Sequence, residues 1–172
     1  MRLRGVFAAA VCLVACFVVS GRAQAQQIFL EISGVQGEVV TPAAFVNQIE
    51  VLSLSWGGSK GCGIGQISLS SMNIMKNTDK ASVDFALAIR DSTAFPTATI
   101  RFTRSDNQVY QSYVMNNVKI ESLQTSGSSG GGPRTTESVS FVYASMSVTY
   151  TFFDGSGKAG APETMTFAAS CP

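Results

Sequence analysis

The side chains able to act as nucleophile, acid, base or ligand are few in this chain, and the commonest one is missing. There is no histidine, which removes Ser-His and Cys-His nucleophile activation and the usual ligand for zinc, copper or nickel. Glu38, Glu50, Asp106, Glu121, Glu137 and Asp154 offer carboxylates of the kind that glycoside hydrolysis uses in pairs. Their separation along the chain brings no two of them together, and solvation of a surface accounts for each. The expectation is therefore no catalytic residue, no metal site and no cofactor. Four cysteines complete the inventory: Cys12, Cys16, Cys62 and Cys171.

How the cysteines are read depends on the N-terminus. Arg2 and Arg4 precede an apolar and small-residue stretch from Val6 to Val19, followed by Ser20-Gly21-Arg22 and Ala23-Gln24-Ala25. That order fits a secretory signal peptide, residues 1–25, cleaved after Ala25. The apolar stretch is shorter than the about 20 residues a membrane span needs. Leu13-Val14-Ala15-Cys16 also resembles a lipoprotein processing box, although Phe17-Val18-Val19 extend the apolar run past that point. Cleavage after Ala25 leaves residues 26–172 as one exported domain without a membrane span, in the periplasm or the medium of a Gram-negative cell. It also leaves Cys62 and Cys171 as the remaining pair. In an oxidising compartment a single disulfide between them is the simplest reading, closing a loop of roughly 110 residues worth up to about 4–5 kcal/mol; two separate thiols are the alternative.

Charge points away from nucleic acid. Three of the 12 basic residues, Arg2, Arg4 and Arg22, precede Gln26, so nine basic face 11 acidic residues in the remainder. A near-neutral, slightly acidic surface is a poor phosphate binder.

The elements that carry these residues alternate with a period of two and are rich in β-branched and aromatic side chains. Strands are expected at Ile28–Ser33, Ile49–Trp56, Gln66–Met75, Thr97–Arg104, Val109–Met115, Val118–Thr125, Glu137–Phe153 and Glu163–Ala168. In the second, Leu52, Leu54 and Trp56 share one face; in the third, Ile67 and Leu69 oppose Met72 and Ile74. Lys80–Asp91, after Asn77-Thr78-Asp79, predicts one helix capped near Thr78 or Asp79 and ended before Pro96, with Val83, Ala86, Leu87 and Arg90 as its core stripe. Val39–Asn47, with Pro42 and no clean period, reads as a loop, and Ser126–Pro133 as a long hairpin loop or a short linker. Many strands and one short helix predict a single mainly β domain, an antiparallel barrel or sandwich.

Taken in order, several segments resemble the haemolysin-coregulated protein family, Hcp, the tube subunit of bacterial type VI secretion systems. They are Phe29-Leu30-Glu31-Ile32 with Gly34 and Gly37-Glu38, Ile49-Glu50-Val51-Leu52-Ser53-Leu54-Ser55-Trp56-Gly57, Asp79-Lys80-Ala81-Ser82, Ile100-Arg101-Phe102-Thr103, Val118-Lys119-Ile120, Ser126-Gly127, Thr136-Glu137-Ser138-Val139-Ser140-Phe141 and Asp154-Gly155-Ser156-Gly157. Together they span nearly all of Gln27 to Phe167. The resemblance implies an antiparallel β-barrel of two sheets with one helix at its side. It further implies six copies in a ring with a wide channel, rings that stack into a tube, no enzymatic activity, and as partners other copies, secretion-system components or a small effector in the channel.

This chain departs from that pattern twice. Tube subunits ordinarily lack a cleavable signal, which makes an exported barrel acting as a monomeric module for a protein or small ligand the alternative reading. The loop at Val39–Asn47 is apolar where relatives carry polar residues, and is either a stacking contact or a hairpin folded onto its own barrel. Val39, Val40, Phe45, Val46, Ser128 and Gly130 are the candidate assembly contacts.

Overall fold

The computed structural model describes residues 26–61, 67–129 and 134–168. The segment 1–25, with Cys16, therefore lies outside the described residues, as do Cys62, Cys171 and Gly130.

The alternating segments form strands β1 (Gln27–Ile32), β2 (Ile49–Val51), β3 (Ser53–Ser55), β4 (Gly58–Lys60), β5 (Ile67–Leu69) and β6 (Met72–Asn77), then helix α1 (Ala81–Asp91). After the helix come β7 (Ala94–Thr103), β8 (Val109–Ser126), β9 (Thr136–Val142), β10 (Ser145–Phe153) and β11 (Ala159–Ala168). All the pairings are antiparallel. Nine strands form one sheet in the order β2-β1-β7-β8-β9-β6-β3, with β10 on β8 and β11 on β10, while β4 and β5 make a separate ribbon.

The ends of that path, β2 and β3, are separated by Leu52 alone, whose N–H donates to the Met75 carbonyl at 2.7 Å. The sheet therefore curls until its two ends meet in one bent segment, which gives the expected mainly β barrel with one helix. The bend also changes which side chains point inward. Ile49 and Val51 are buried, then the parity switches and Leu54 and Trp56 pack against the core while Leu52 is 48% exposed. Ile49–Trp56 is thus two strands rather than one, and Leu52 does not share the inward face with Leu54 and Trp56.

A matching break falls at Ser70-Ser71 in the segment expected as one strand. The Ser70 hydroxyl and amide both donate to the Gly57 carbonyl at 2.9 Å, and these bonds turn β5 away from β6. Where two strands were expected between Val109 and Thr125 there is one, β8, continuous through Asn116-Asn117. Its partner instead breaks at Tyr143-Ala144 into β9 and β10.

Helix α1 is held at its start by a reciprocal cap: Asp79 Oδ1 accepts from the Ala81 N–H and Ser82 Oγ accepts from the Asp79 N–H, each at 3.1 Å. It ends at Ser92, whose φ of 54° is left-handed, before Pro96 as expected. Its core stripe is not the expected one. Ala81, Phe85 and Ala88 are buried, spaced i, i+4 and i+7, whereas Val83 and Leu87 are exposed and so are Ala86 and Arg90. The cap anchors the first turn to the barrel and fixes the helix rotation, and the ring of Phe85 enters edge-on against Phe141 at 6.1 Å and 89°. Burying one phenylalanine with two alanines allows a closer approach than the Val83–Leu87 face offers.

Candidate functional site

The loop between β1 and β2 is built from its own backbone bonds. Gly37 N–H donates to the Asn47 carbonyl at 2.7 Å, Asn47 N–H to that of Val39 at 2.8 Å, and Val39 N–H to that of Gln48 at 3.1 Å. Gly37 lies so close to the return strand that a β-carbon would meet the Gln48 oxygen at 2.0 Å, so only glycine fits. A short 3-10 turn, Ala43–Phe45, swings the Phe45 ring onto Phe29, with centroids 4.4 Å apart and planes 8° apart. Phe45 is 4% exposed and serves as the loop's anchor, while Val40 at 80% and Val46 at 44% remain outside and Val39 is half-buried. Phe45 thus folds the loop onto its own barrel, while Val40 and Val46 are left exposed.

The second candidate loop comes to the same end of the barrel. Arg134, just beyond it, pairs with Glu38 at 3.1 Å, and the Thr78 N–H donates to the Thr135 carbonyl at 2.9 Å. Ser128 is exposed. A cleft of about 600 Å³ lies beside the first loop, with Val39, Val40, Glu50, Arg134 and Thr136 among its walls.

Five of the six carboxylates have structural partners, and Glu50 lines the cleft. Asp154 closes the β10–β11 turn, where the Ser156 hydroxyl and the Lys158 N–H hold its carboxyl below the usual range. Glu121 accepts from Ser71 and Ser140, and Asp106 accepts the Gln108 N–H in the β7–β8 turn. Chain separation suggested that no two carboxylates meet, yet Glu38 and Glu50 border one cleft. There Glu38 is engaged by Arg134 and by the Lys80 N–H at 3.0 Å, an arrangement suited to holding loops together. Among the described residues no cluster of three potential metal ligands occurs.

The sequence reading missed a buried ionic cluster. Lys76 Nζ is fully enclosed and meets Asp79 at 2.7 Å, Glu137 at 2.9 Å and Ser82 Oγ at 2.9 Å. Ser82 Oγ donates to Glu137 at 2.6 Å and Thr78 to its other oxygen at 3.2 Å. Burial alone raises the Glu137 carboxyl; the hydroxyls of Ser82 and Thr78 and the Lys76 ammonium outweigh it and hold the group below its ordinary value. The cluster is fully satisfied and closed to substrate. Its role is to fix α1 against β6 and β9, and the signal was the parity of Lys76 with Met72 and Ile74, and of Glu137 with Val139 and Phe141.

A further surface lies on the β10–β11 ribbon. One face is polar, with the Ser147–Thr166 and Thr149–Thr164 hydroxyl pairs each at 2.9 Å. The other carries Val148 opposite Met165 and Tyr150 opposite Glu163. Tyr150, Phe152 and Met165 are 48%, 60% and 62% exposed, and β11 has no partner beyond β10 among the described residues. None of these was among the predicted contacts. No described helix is long and apolar enough to cross a membrane.

With these features in place, comparison with known proteins is specific. A solved structure described as a type six secretion system protein is 28% identical, covers 84% of this chain and 96% of its own, and superimposes with a TM-score of 0.77. Hcp1 from Salmonella typhimurium is 23% identical over 84% of this chain and 95% of its own, TM-score 0.72. A type VI secretion system effector from Yersinia pestis is 20% identical over 82% and 98%, TM-score 0.69. Among curated proteins none matches. The family model for the type VI secretion system effector Hcp matches residues 29–150, and the chain belongs to the Hcp family.

Proposed function

We propose that this chain is a structural subunit that closes into a hexameric ring and stacks ring on ring, working through the surfaces it offers to other copies of itself. The observation that carries this reading is the Hcp family match over residues 29–150 on a barrel that leaves two kinds of surface uncovered. The open edge of β11, with the exposed Phe152 on the adjacent strand β10, suits lateral closure, since an unpaired ladder is satisfied by a neighbouring subunit. The first loop, with Val40 and Val46 outermost, suits the head-to-tail contact between rings, and exposed Ser128, with Gly130 two positions on in the sequence, is the second candidate for it. Val39 and Phe45 support that face from beneath.

Residues 1–25 act as an export signal in this reading, and residues 26–172 are the mature domain, released beyond the inner membrane without catalytic activity. Strand β1 opens at Gln27, two residues past the proposed cleavage point. Cys62 and Cys171 then form the disulfide. Native mass spectrometry of the protein recovered from fractionated cells tests the whole reading. A hexamer of chains starting at Gln26, each two hydrogens lighter than the reduced chain, is expected. A strict monomer at high concentration defeats the assembly, and an intact Met1 species in the cytosol defeats the export.

A further inference from the structure

We propose that the cleft between the Trp56 corner and the β10–β11 ribbon binds a small organic cation of the alkylated ammonium class. Its volume is about 380 Å³, within the roughly 300–1,000 Å³ of small-molecule sites. One wall is aromatic. Trp56 lies 5.8 Å from Tyr113 at 58° and 6.2 Å from Phe167 at 42°, so these rings are tilted and none lies flat on its neighbour. Glu163 lines the same cleft, on the β8-β10-β11 sheet face that carries Tyr113 and Phe167, where it pairs across the ladder with Tyr150.

The Trp56 N–H and the Tyr113 hydroxyl oxygen already have protein partners. Trp56 Nε1 donates to the Tyr143 hydroxyl at 2.6 Å, and that hydroxyl donates to the Ser70 carbonyl at 3.0 Å. Gln111 Nε2 donates to the Tyr113 hydroxyl at 2.8 Å. Both rings are thus fixed by protein partners, and what they have left to offer a ligand is chiefly π surface. The lining holds no lysine or arginine, and among the described residues no basic side chain pairs with Glu163. A carboxylate with no basic partner among the described residues, beside fixed aromatic rings in one cleft, is complementary to a cation with an apolar shell. The ring quadrupole attracts its charge, the methyl groups replace water on Met165 and Val148, and Glu163 supplies the opposite sign. An anion meets repulsion there, and a neutral apolar molecule leaves the carboxylate uncompensated.

Trp56 is the only tryptophan in the chain, so its emission reports on this cleft directly. The purified protein is titrated with choline, with the neutral isostere in which carbon replaces the nitrogen, and with sodium chloride at matched ionic strength. The expected result is a saturable change with choline, binding about tenfold or more weaker for the isostere, and no saturable change with salt. Glu163→Gln, at an exposed position on an edge strand, is expected to erase most of that preference while leaving the thermal midpoint in place. Absence of saturation with choline overturns the proposal. So does equal binding of the isostere, or an undiminished preference in Glu163→Gln. A Trp56 spectrum that shifts with protein concentration and no longer responds to choline also overturns it, because a second copy then fills the cleft. A monomer that binds choline selectively upholds the cleft while defeating the ring, and a ring without choline binding does the reverse.

Discussion

Strand β8 passes through two unlike environments. Toward its C-terminal end Val118 and Ile120 are buried beside β7 and β9, and the barrel there is sealed by Phe85 and clamped by the Lys76–Glu137 pair. Toward its N-terminal end it pairs with β10, whose outer neighbour β11 is exposed along nearly its whole length. The alternation of side chains is similar in both halves. What differs is the cover over the inward face: α1 in one half, and in the other Trp56 over the buried Tyr113, beyond which the side chains of β10 and β11 meet solvent. The first half is therefore stabilised from within the chain, and the second leaves Tyr150, Phe152 and Met165 exposed.

The ionic clamp should dominate the first half. Lys76→Ala leaves Glu137 and Asp79 buried without their cation, and the expected loss is at the upper end of about 3–5 kcal/mol, read as a drop in the urea midpoint. Replacing the pair together by Met and Leu should return part of that loss, since an apolar pair of similar volume carries no desolvation cost, while Asp79 still lacks its cation and keeps the Ala81 N–H. A Lys76→Ala protein of wild-type stability would show that the clamp does not hold α1. Next comes Phe85→Ala, which opens a cavity between α1 and Phe141 and costs about 3–5 kcal/mol. Val83→Ala, on the helix face expected to be buried but in fact exposed, should cost less than about 0.5 kcal/mol.

Acid probes the same half. Because Glu137 is held below its ordinary value in the folded protein, its contribution is fully present above the unfolded glutamate value of about 4.3. It is lost as the pH falls through the depressed folded value. Thermal midpoints measured downward from pH 6 should therefore fall more steeply in the wild type than in the Met–Leu double variant. Parallel slopes would assign the acid sensitivity elsewhere.

The two halves were also unequally readable from sequence. Strands β1, β7 and β11 announce themselves by alternation, and the helix by its Asn77-Thr78-Asp79 cap, because these are local signals. The helix rotation was not local. Val83, Ala86, Leu87 and Arg90 satisfy helical periodicity as well as Ala81, Phe85 and Ala88 do, and the choice is made by Asp79 and Ser82 bonding into the cluster around Lys76. That cluster needed the pairing of β6 with β9 to be visible, although a lysine and a glutamate at inward parity hinted at it. The break at Leu52 depends on barrel closure, which no window of a few residues records. The Trp56 cleft joins the residue after β3 to β8, β10 and β11, so its residues meet only after the sheet has formed. Of the candidate assembly residues, Phe45 could not be separated from Val40 by hydrophobicity, since the difference lies in Phe29 waiting beneath one of them.

The smallest effect on the isolated chain falls in the second half. Phe152 is 60% exposed, so Phe152→Ser removes little buried area and should change the stability of a dilute monomer by no more than about 0.5 kcal/mol. On the proposed reading its consequence appears only when copies meet. An aromatic side chain beside an open strand edge is the type of residue that becomes an interface anchor, and losing such an anchor costs about 2 kcal/mol or more per contact. In a closed ring every subunit repeats that loss. Sedimentation velocity across a dilution series should therefore show the wild type as rings at concentrations where Phe152→Ser has fallen to monomers, with both melting alike at high dilution. If Phe152→Ser unfolds like Phe85→Ala, the ring depends on its own chain for support and the two halves of β8 are not distinct. If it assembles like the wild type, closure runs through a different edge, and the uncovered face of β10 and β11 is left to the ligand of the Trp56 cleft.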